Sequence, residues 1–372
     1  MPLHEPVPAR TVRVKIVADS EIAALPDWKN SISAMFDSIS RCMRPWAHVG
    51  FAIDTFVTWD CAKAPSYDSL LPGDCLIREV PKGESDIVVY FDKWGYSPTF
   101  SEAMPLYEQG YAYIRLPMQS DGETIDRRAR NTVIHWLGHL FGAVHCYYDS
   151  SRVTLMNPFV HEGIIVEGDT GREAVFHRGN GMIMSVLSRR PFEESGWDST
   201  LWPPIRAVYG KIRDHYNRWR IDTSGELVDY SSDAFHESNP LLYLSSWASL
   251  CGLPAVSLSY LDSVAAVYRA IKITCIREGI VGKTRLCRVC GYDAVDVTNW
   301  LDLKLFNLKI RRAMVYLRAG ELAKADSCQT EAIDRIPSAL MSIRGKYEAG
   351  YRFYRSRCVR RAGNAPVFPA LR

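Results

Sequence analysis

The chain lacks the sequence features of an exported or membrane-spanning protein. Its first twenty residues contain prolines and no continuous apolar run, which argues against a signal helix. No stretch reaches the ~18 consecutive apolar residues that a membrane span needs. We therefore expect a cytoplasmic protein with no membrane span, or a secreted one if a leader lies outside this sequence.

The chain also lacks a strong charge of either sign and a dense set of cysteines. Its 45 Lys and Arg against 42 Asp and Glu leave a net charge of +3, which does not indicate a nucleic-acid-binding protein. The ten cysteines are spread along 372 residues, so in the cytoplasm we expect mostly reduced thiols. A bridge between Cys61 and Cys75 stays open for an exported protein. The length and the 47% hydrophobic content predict a globular protein with two domains.

The most informative stretch is His135-Trp-Leu-Gly-His139-Leu-Phe-Gly142-Ala-Val-His145. Two histidines four apart on a helix project from the same face, so their imidazoles can share one metal ion. Gly142 permits a left-handed turn that ends the helix, and His145 can then supply a third nitrogen. A compact set of three imidazoles with an open coordination position suits zinc, so we predict a zinc site here.

The arrangement resembles the long zinc signature of the metzincin metallopeptidases, His-Glu-x-x-His-x-x-Gly-x-x-His. Residues 155–158 (Leu-Met-Asn-Pro) are similar to the Met-turn of that family, whose methionine lies beneath the metal and packs under the histidine rings. Residues 199–210 resemble its closing helix, which often ends in Tyr-Gly. The resemblance implies that the three histidines bind Zn2+ and that Met156 supports them.

One residue departs from the family pattern. Trp136 stands where the family has the glutamate that takes a proton from zinc-bound water and passes it to the leaving amine. The indole N–H is only a donor, so Trp136 cannot act as this base. A positioned base contributes ~10²–10⁴-fold to a rate, so we expect feeble peptidase activity at most. Four residues near the motif could act as a substitute base, and their spacing singles out none of them: Tyr147, Asp149, Glu162 and Glu167.

Three functions therefore stay open. The first is a metzincin-type zinc peptidase that uses a substitute base. The second is a pseudoprotease that keeps the metal and binds a peptide or protein in the cleft. The third is a repurposed three-histidine site that performs non-proteolytic Lewis-acid chemistry on a small molecule, with Trp136 as an apolar or stacking wall.

The pattern of apolar residues predicts an α+β protein in two parts. Strand patterns and one amphipathic helix precede the histidine helix, in an order that matches the upper half of a metzincin domain, a twisted sheet with two long helices. We place this zinc-binding domain at residues 1–215 and a mainly α-helical domain at residues 216–372. By resemblance, the edge strand before the histidine helix pairs with an extended substrate, and that role falls to Tyr111, Tyr113 and Arg115.

We interpret three further patterns of the second domain as structural. Cys287 and Cys290 form half of a zinc-knuckle pattern without a second pair at suitable spacing. Residues 279–284 lack the first glycine of a phosphate-binding loop. The basic residues of 344–372 are typical of the solvated face of a last helix, with RNA binding as the alternative.

Overall fold

The fold is that of a computed structural model of the whole chain, which describes residues 10–66, 68–93, 106–116, 129–144, 155–156, 176, 178–193, 197–216, 240–277 and 297–364. Its first part is a sheet with helices between the strands. The four strands are β1 (Arg10–Ala18), β2 (Val49–Thr58), β3 (Ile87–Asp92) and β4 (Tyr111–Arg115).

The strands pair in the order β2-β1-β3-β4, and every pair is parallel. Parallel neighbours need crossover connections, and helices lie in these connections. The helices of this part are α1 (Ser20–Ala23), α2 (Trp28–Ala47), α3 (Pro72–Glu79), α4 (Ala129–Leu140), α5 (Arg178–Leu187) and α6 (Trp202–Tyr216). The described sheet is therefore of the α/β type, and not the α+β type that we expected.

The sequence pattern explains how α2 packs. Its buried residues recur every three or four positions, so one stripe of the helix is apolar, and this stripe includes Ile32, Phe36, Ile39 and Met43. The ring of Phe36 meets that of Phe51 on β2 edge-on, with 5.9 Å between the two centroids, a spacing typical of aromatic pairs. Strand β3 has six buried residues in succession, as expected for a central parallel strand covered on both faces.

The second part is mainly helical, as predicted. It contains a helical segment at 240–250 and the helices α7 (Pro254–Arg277), α8 (Val297–Arg318), α9 (Leu322–Asp334) and α10 (Arg344–Asn364). A buried cluster joins the last three of these helices, with Phe306, Ala332, Ile333 and Tyr347 at its centre.

The chain forms two compact units, one of Met1–Pro65 with Pro72–Arg220 and one of Ser66–Leu71 with Ile221–Arg372. The boundary that we predict after residue 215 falls at the end of α6, and residues 217–239 lie outside the described part. In the portions of the chain that the structure covers, no helix is both long enough and apolar enough to cross a membrane. Cys61 and Cys75 are both buried, and no disulfide bridge joins them in this structure.

Candidate metal centre

The histidine helix α4 is buried almost all round. Ten of its twelve residues are buried, including both histidines, which are 0% and 1% exposed. A helix that is buried on every face belongs in the interior of a protein, so the two imidazoles are removed from bulk water. Buried imidazoles need partners for both ring nitrogens.

Each histidine donates one ring N–H to a backbone carbonyl. The Nδ1 of His135 lies 2.8 Å from the carbonyl oxygen of Leu155, and the Nδ1 of His139 lies 2.9 Å from that of Ala143. A carbonyl oxygen can only accept, so both Nδ1 atoms carry the proton. In the neutral rings, both Nε2 atoms then present a lone pair.

These two lone pairs face each other, because the Nε2 atoms of His135 and His139 are 3.1 Å apart. The rings meet edge-on, with 4.6 Å between their centroids and an interplanar angle of 88°. Two acceptors at this distance repel each other unless a proton or a cation lies between them. Two nitrogens that each bind one zinc ion at about 2.0–2.1 Å are separated by about 3–3.4 Å, so the pair fits a shared zinc ion.

A glycine turn follows the helix, as the motif predicted. The N–H of Gly142 bonds to the carbonyl of His139 over 2.8 Å, and the N–H of Ala143 bonds to that of Gly138 over 2.8 Å. This pair of bonds is the Schellman pattern of a helix C-terminus. Gly142 has a φ of +82°, and a Cβ there would lie 2.2 Å from Cδ1 of Leu187. Position 142 therefore requires glycine for its backbone conformation and for space.

Met156 packs directly against the histidine helix. It is fully buried, and a Cβ on Gly138 would lie 2.6 Å from its sulfur atom. The carbonyl of the preceding residue, Leu155, is the one that orients His135. The described part of the predicted Met-turn thus contacts α4 through both a side chain and a backbone group.

Trp136 is surrounded by aromatic rings. It is 7% exposed, and its ring centroid lies 5.8 Å from that of His135, 5.9 Å from that of His139 and 6.4 Å from that of Tyr107. Tyr107 also stacks on His139 at 6.1 Å with a 19° interplanar angle. Trp136 is therefore part of an aromatic wall beside the histidine pair.

The hydroxyl of Tyr107 is buried and finds no hydrogen-bond partner in the part of the chain that the structure describes. Burial alone raises the pKa of this phenol well above its ordinary value. An unpaired buried hydroxyl costs about 1–3 kcal/mol, so a bound ligand or water that accepts this O–H would stabilise the site.

The predicted substrate-edge residues split into two groups. Tyr111 and Tyr113 are buried, and their hydroxyls donate to the carbonyl of Val80 at 3.0 Å and to the carboxylate of Asp92 at 2.5 Å. Arg115 is exposed at the end of β4. In the described sheet, β4 pairs with β3 alone. Any chain bound along this strand would therefore use its backbone groups and not the two tyrosine side chains.

The third predicted ligand, His145, lies outside the described residues. So do the four candidate bases, Tyr147, Asp149, Glu162 and Glu167, and the Cys287 and Cys290 pair. Within the residues that the structure describes, no group of three metal-ligating side chains comes together. His135 and His139 are the two members of the predicted triad whose geometry is defined.

Sequence reasoning missed three residues that hold the site in place. The side-chain amide of Asn180 bonds to both backbone groups of Val144, and the hydroxyl of Tyr209 donates to the carbonyl of Gly142. The buried guanidinium of Arg190 donates to the last carbonyl of α4, that of Leu140, over 3.0 Å. A cation at a helix C-terminus is stabilised by the helix dipole. No local pattern pointed to Asn180, because it lies in the Gly-rich first turn of α5, next to Gly179 and Gly181.

No protein-family model, no curated protein and no solved structure matches the chain.

Proposed function

We propose that the protein is a zinc-binding, metallopeptidase-like protein in which His135, His139 and His145 hold the metal. Its ability to hydrolyse peptides is weak or lost, because Trp136 replaces the general base. The fold of the first part is proposed to be metzincin-like, on the strength of the sequence motif and of the Met156 segment that packs against α4.

One observation carries this proposal. Both histidines use Nδ1 to donate to a carbonyl, which leaves two Nε2 lone pairs 3.1 Å apart in the protein interior. Ligating histidines are commonly oriented in this way, by a hydrogen bond from the ring nitrogen that does not bind the metal. The observed donor set therefore fits zinc.

A shared proton is the alternative explanation of the pair, since one imidazolium could donate to the other ring. Both arrangements place positive charge in a largely apolar interior, so the cost of burying charge does not distinguish them. The glycine turn supports the metal, because it brings the Ala143 carbonyl back to His139, two residues before His145 in the sequence.

The surrounding residues define what the site could do. Zinc bound there would supply Lewis-acid polarisation of a carbonyl and would lower the pKa of a water molecule. Trp136 and Tyr107 exclude bulk water from one side of the histidine pair, and Trp136 can neither take up nor deliver a proton.

The test is a measurement of bound zinc in the purified protein. We expect about one zinc per chain in the wild type and none in His135→Gln or His139→Gln, since glutamine keeps a polar side chain but removes the imidazole. Thermal unfolding with and without a chelator checks that the variants fold. A wild-type protein that binds no zinc when supplied with it would refute the proposal.

A second function is favoured by the aromatic wall. The rings of Trp136 and Tyr107 and the unpaired Tyr107 hydroxyl are suited to a small ligand that is flat and carries one hydrogen-bond acceptor. A repurposed zinc site acting on such a molecule, or a pseudoprotease that binds a peptide, would retain zinc and show no peptide cleavage.

A further inference from the structure

Tyr107 is tied to the end of the histidine helix by a buried arginine. The guanidinium of Arg190 donates to the carbonyl of Tyr107 over 2.7 Å and to the carbonyl of Leu140, the last residue of α4, over 3.0 Å. Arg190 is 1% exposed, and the N–H of Gly110 also bonds to the Tyr107 carbonyl, over 3.1 Å. The backbone of Tyr107 therefore has a defined position relative to α4.

The ring of Tyr107 completes a triangle of rings beside the histidine pair. The centroids of Tyr107, Trp136 and His139 are separated by 5.9, 6.1 and 6.4 Å. The rings of Trp136 and His139 also meet that of His135, at centroid distances of 5.8 and 4.6 Å. Tyr107 thus packs against one predicted metal ligand and against a tryptophan that contacts both.

This packing explains the ring of Tyr107 but not its hydroxyl, because a phenylalanine would pack in the same way. The hydroxyls of the buried residues Tyr111, Tyr113 and Tyr209 each donate to an oxygen of the protein. The buried hydroxyl of Tyr107 has no partner among the described residues. Buried tyrosine hydroxyls normally find one, so this exception indicates a group that the protein alone does not supply.

The chemistry of the Tyr107 phenol favours a negatively charged acceptor. Burial raises its pKa well above the ordinary value, so the hydroxyl keeps its proton at neutral pH and can donate a hydrogen bond. Hydrogen bonds to an ionised acceptor are roughly twice as strong as those between neutral groups. A zinc ion on the histidines would attract the same negative oxygen, since carboxylate oxygens are among its usual ligands.

We propose that Tyr107 is a ligand-binding residue of the metal centre, and that its hydroxyl donates to a carboxylate oxygen of a small planar ligand. The inference rests on the proposed zinc site and narrows the class of its ligand. An aromatic carboxylate can pack its ring on Trp136 and present its anionic oxygens to Tyr107 and the metal. A cationic amine of the same shape has no lone pair to accept the Tyr107 hydrogen bond.

The test measures ligand affinity separately from zinc binding. Benzoate is the probe, and benzylamine is the probe of opposite charge and similar shape. Tyr107→Phe removes only the hydroxyl. Tyr351→Phe is the matched control, because its lost hydroxyl donates to Asp326 in the helical unit. The readouts are zinc content, titration of the visible spectrum of the Co2+-loaded protein with each probe, and urea unfolding without a probe.

We expect the wild type to bind benzoate and not benzylamine. Tyr107→Phe should keep its zinc and its stability but bind benzoate at least ~10-fold more weakly, as for a lost hydrogen bond to a charged group. Tyr351→Phe should keep wild-type affinity for benzoate.

Three results would overturn the inference and leave the zinc site standing. They are a zinc-loaded wild type that does not bind benzoate, equal benzoate affinity in Tyr107→Phe, and failure of Tyr107→Phe to fold, which would make the hydroxyl structural. A wild type that takes up no zinc would instead refute the proposed function, and the inference with it.

Discussion

The hydroxyl of Tyr209 donates a 2.6 Å hydrogen bond to the carbonyl of Gly142, and it does so from a fully buried position. The equally buried hydroxyl of Tyr107 has no such acceptor in the described structure. The two tyrosines therefore differ in what their hydroxyl contributes to stability, although both pack beside the histidine helix.

Removal of the Tyr209 hydroxyl and removal of the Tyr107 hydroxyl should change the free energy of unfolding differently. We expect Tyr209→Phe to lower the free energy of unfolding by about 1–3 kcal/mol, because it leaves a buried carbonyl unpaired. Tyr107→Phe should be neutral or stabilising in the ligand-free protein. Urea unfolding of the two variants checks this pair, and each is the control for the other. A large loss of stability in Tyr107→Phe would show that its hydroxyl is satisfied in solution.

The glycine turn leads to a second prediction. Gly142→Ala places a Cβ 2.2 Å from Leu187 and 2.7 Å from the Tyr209 hydroxyl, at a φ of +82°. We expect a loss of about 2 kcal/mol or more, because neither the backbone nor the space suits alanine. Gly210→Ala is the matched control, since a Cβ at this helical position meets nothing within 4 Å. That variant should be stabilised by about 0.5–1 kcal/mol. Equal unfolding midpoints for the two would contradict the geometry of the turn.

Restoring a carboxylate at position 136 tests what the tryptophan has replaced. If the site descends from a peptidase, Trp136→Glu should raise cleavage of a peptide library by ~10²-fold or more over the wild type. Trp136→Gln has the same length without a base, and it should stay at the wild-type level. Mass spectrometry of the cleaved peptides gives the measurement.

The outcomes of this experiment separate the open functions. Efficient cleavage by the wild type, abolished in His139→Ala, would rule out a pseudoprotease and require a substitute base. No gain in a folded, zinc-loaded Trp136→Glu would favour a site that no longer accommodates a peptide.

A pH prediction concerns the helical unit. Asp326 of α9 accepts hydrogen bonds from Nε of Arg355 at 2.9 Å and from the Tyr351 hydroxyl at 2.7 Å, both on α10. The Arg355 side chain, and then Tyr351, hold the pKa of this carboxyl below its ordinary value of 3.8. A lowered carboxyl pKa contributes stability above pH ~4 that is lost as the pH falls through the folded value.

We therefore expect Asp326→Asn to reduce stability at neutral pH, by less than about 1 kcal/mol because the pair is partly exposed, and to flatten the decline below pH ~4. Urea midpoints followed by circular dichroism between about pH 2.5 and 6 check this. An unchanged slope in the variant would show that the ion pair is too screened to matter.

Local patterns predicted much of the fold. Alternation and apolar runs identified all four described strands, and the stripe of α2 identified that helix, because these signals reside in neighbouring residues. The order of the strands in the sheet is a long-range property, so local patterns did not predict the order β2-β1-β3-β4. The burial of Tyr111 and Tyr113 is also a long-range property. Their hydroxyls bond to Val80 and Asp92, which come from other segments of the chain.

The candidate site likewise has a part that local sequence predicts and a part that depends on residues distant in sequence. The helix spacing predicted that His135 and His139 share a face, and the structure brings their Nε2 atoms together. The supporting contacts of Asn180, Arg190 and Tyr209 bridge 36 to 67 residues of sequence. No local pattern encodes such a partner. The role of His145 as the third metal ligand remains a prediction from the motif.

The contact between Gly138 and Met156 couples two positions that lie eighteen residues apart. The sulfur atom occupies the volume that any side chain at 138 would need. A gain of a methyl group at one position is therefore compatible with the fold only if the other gives up its bulk. Gly138 directly precedes His139 in α4, so the bulk of Met156 restricts the histidine helix to glycine at the position next to a predicted ligand.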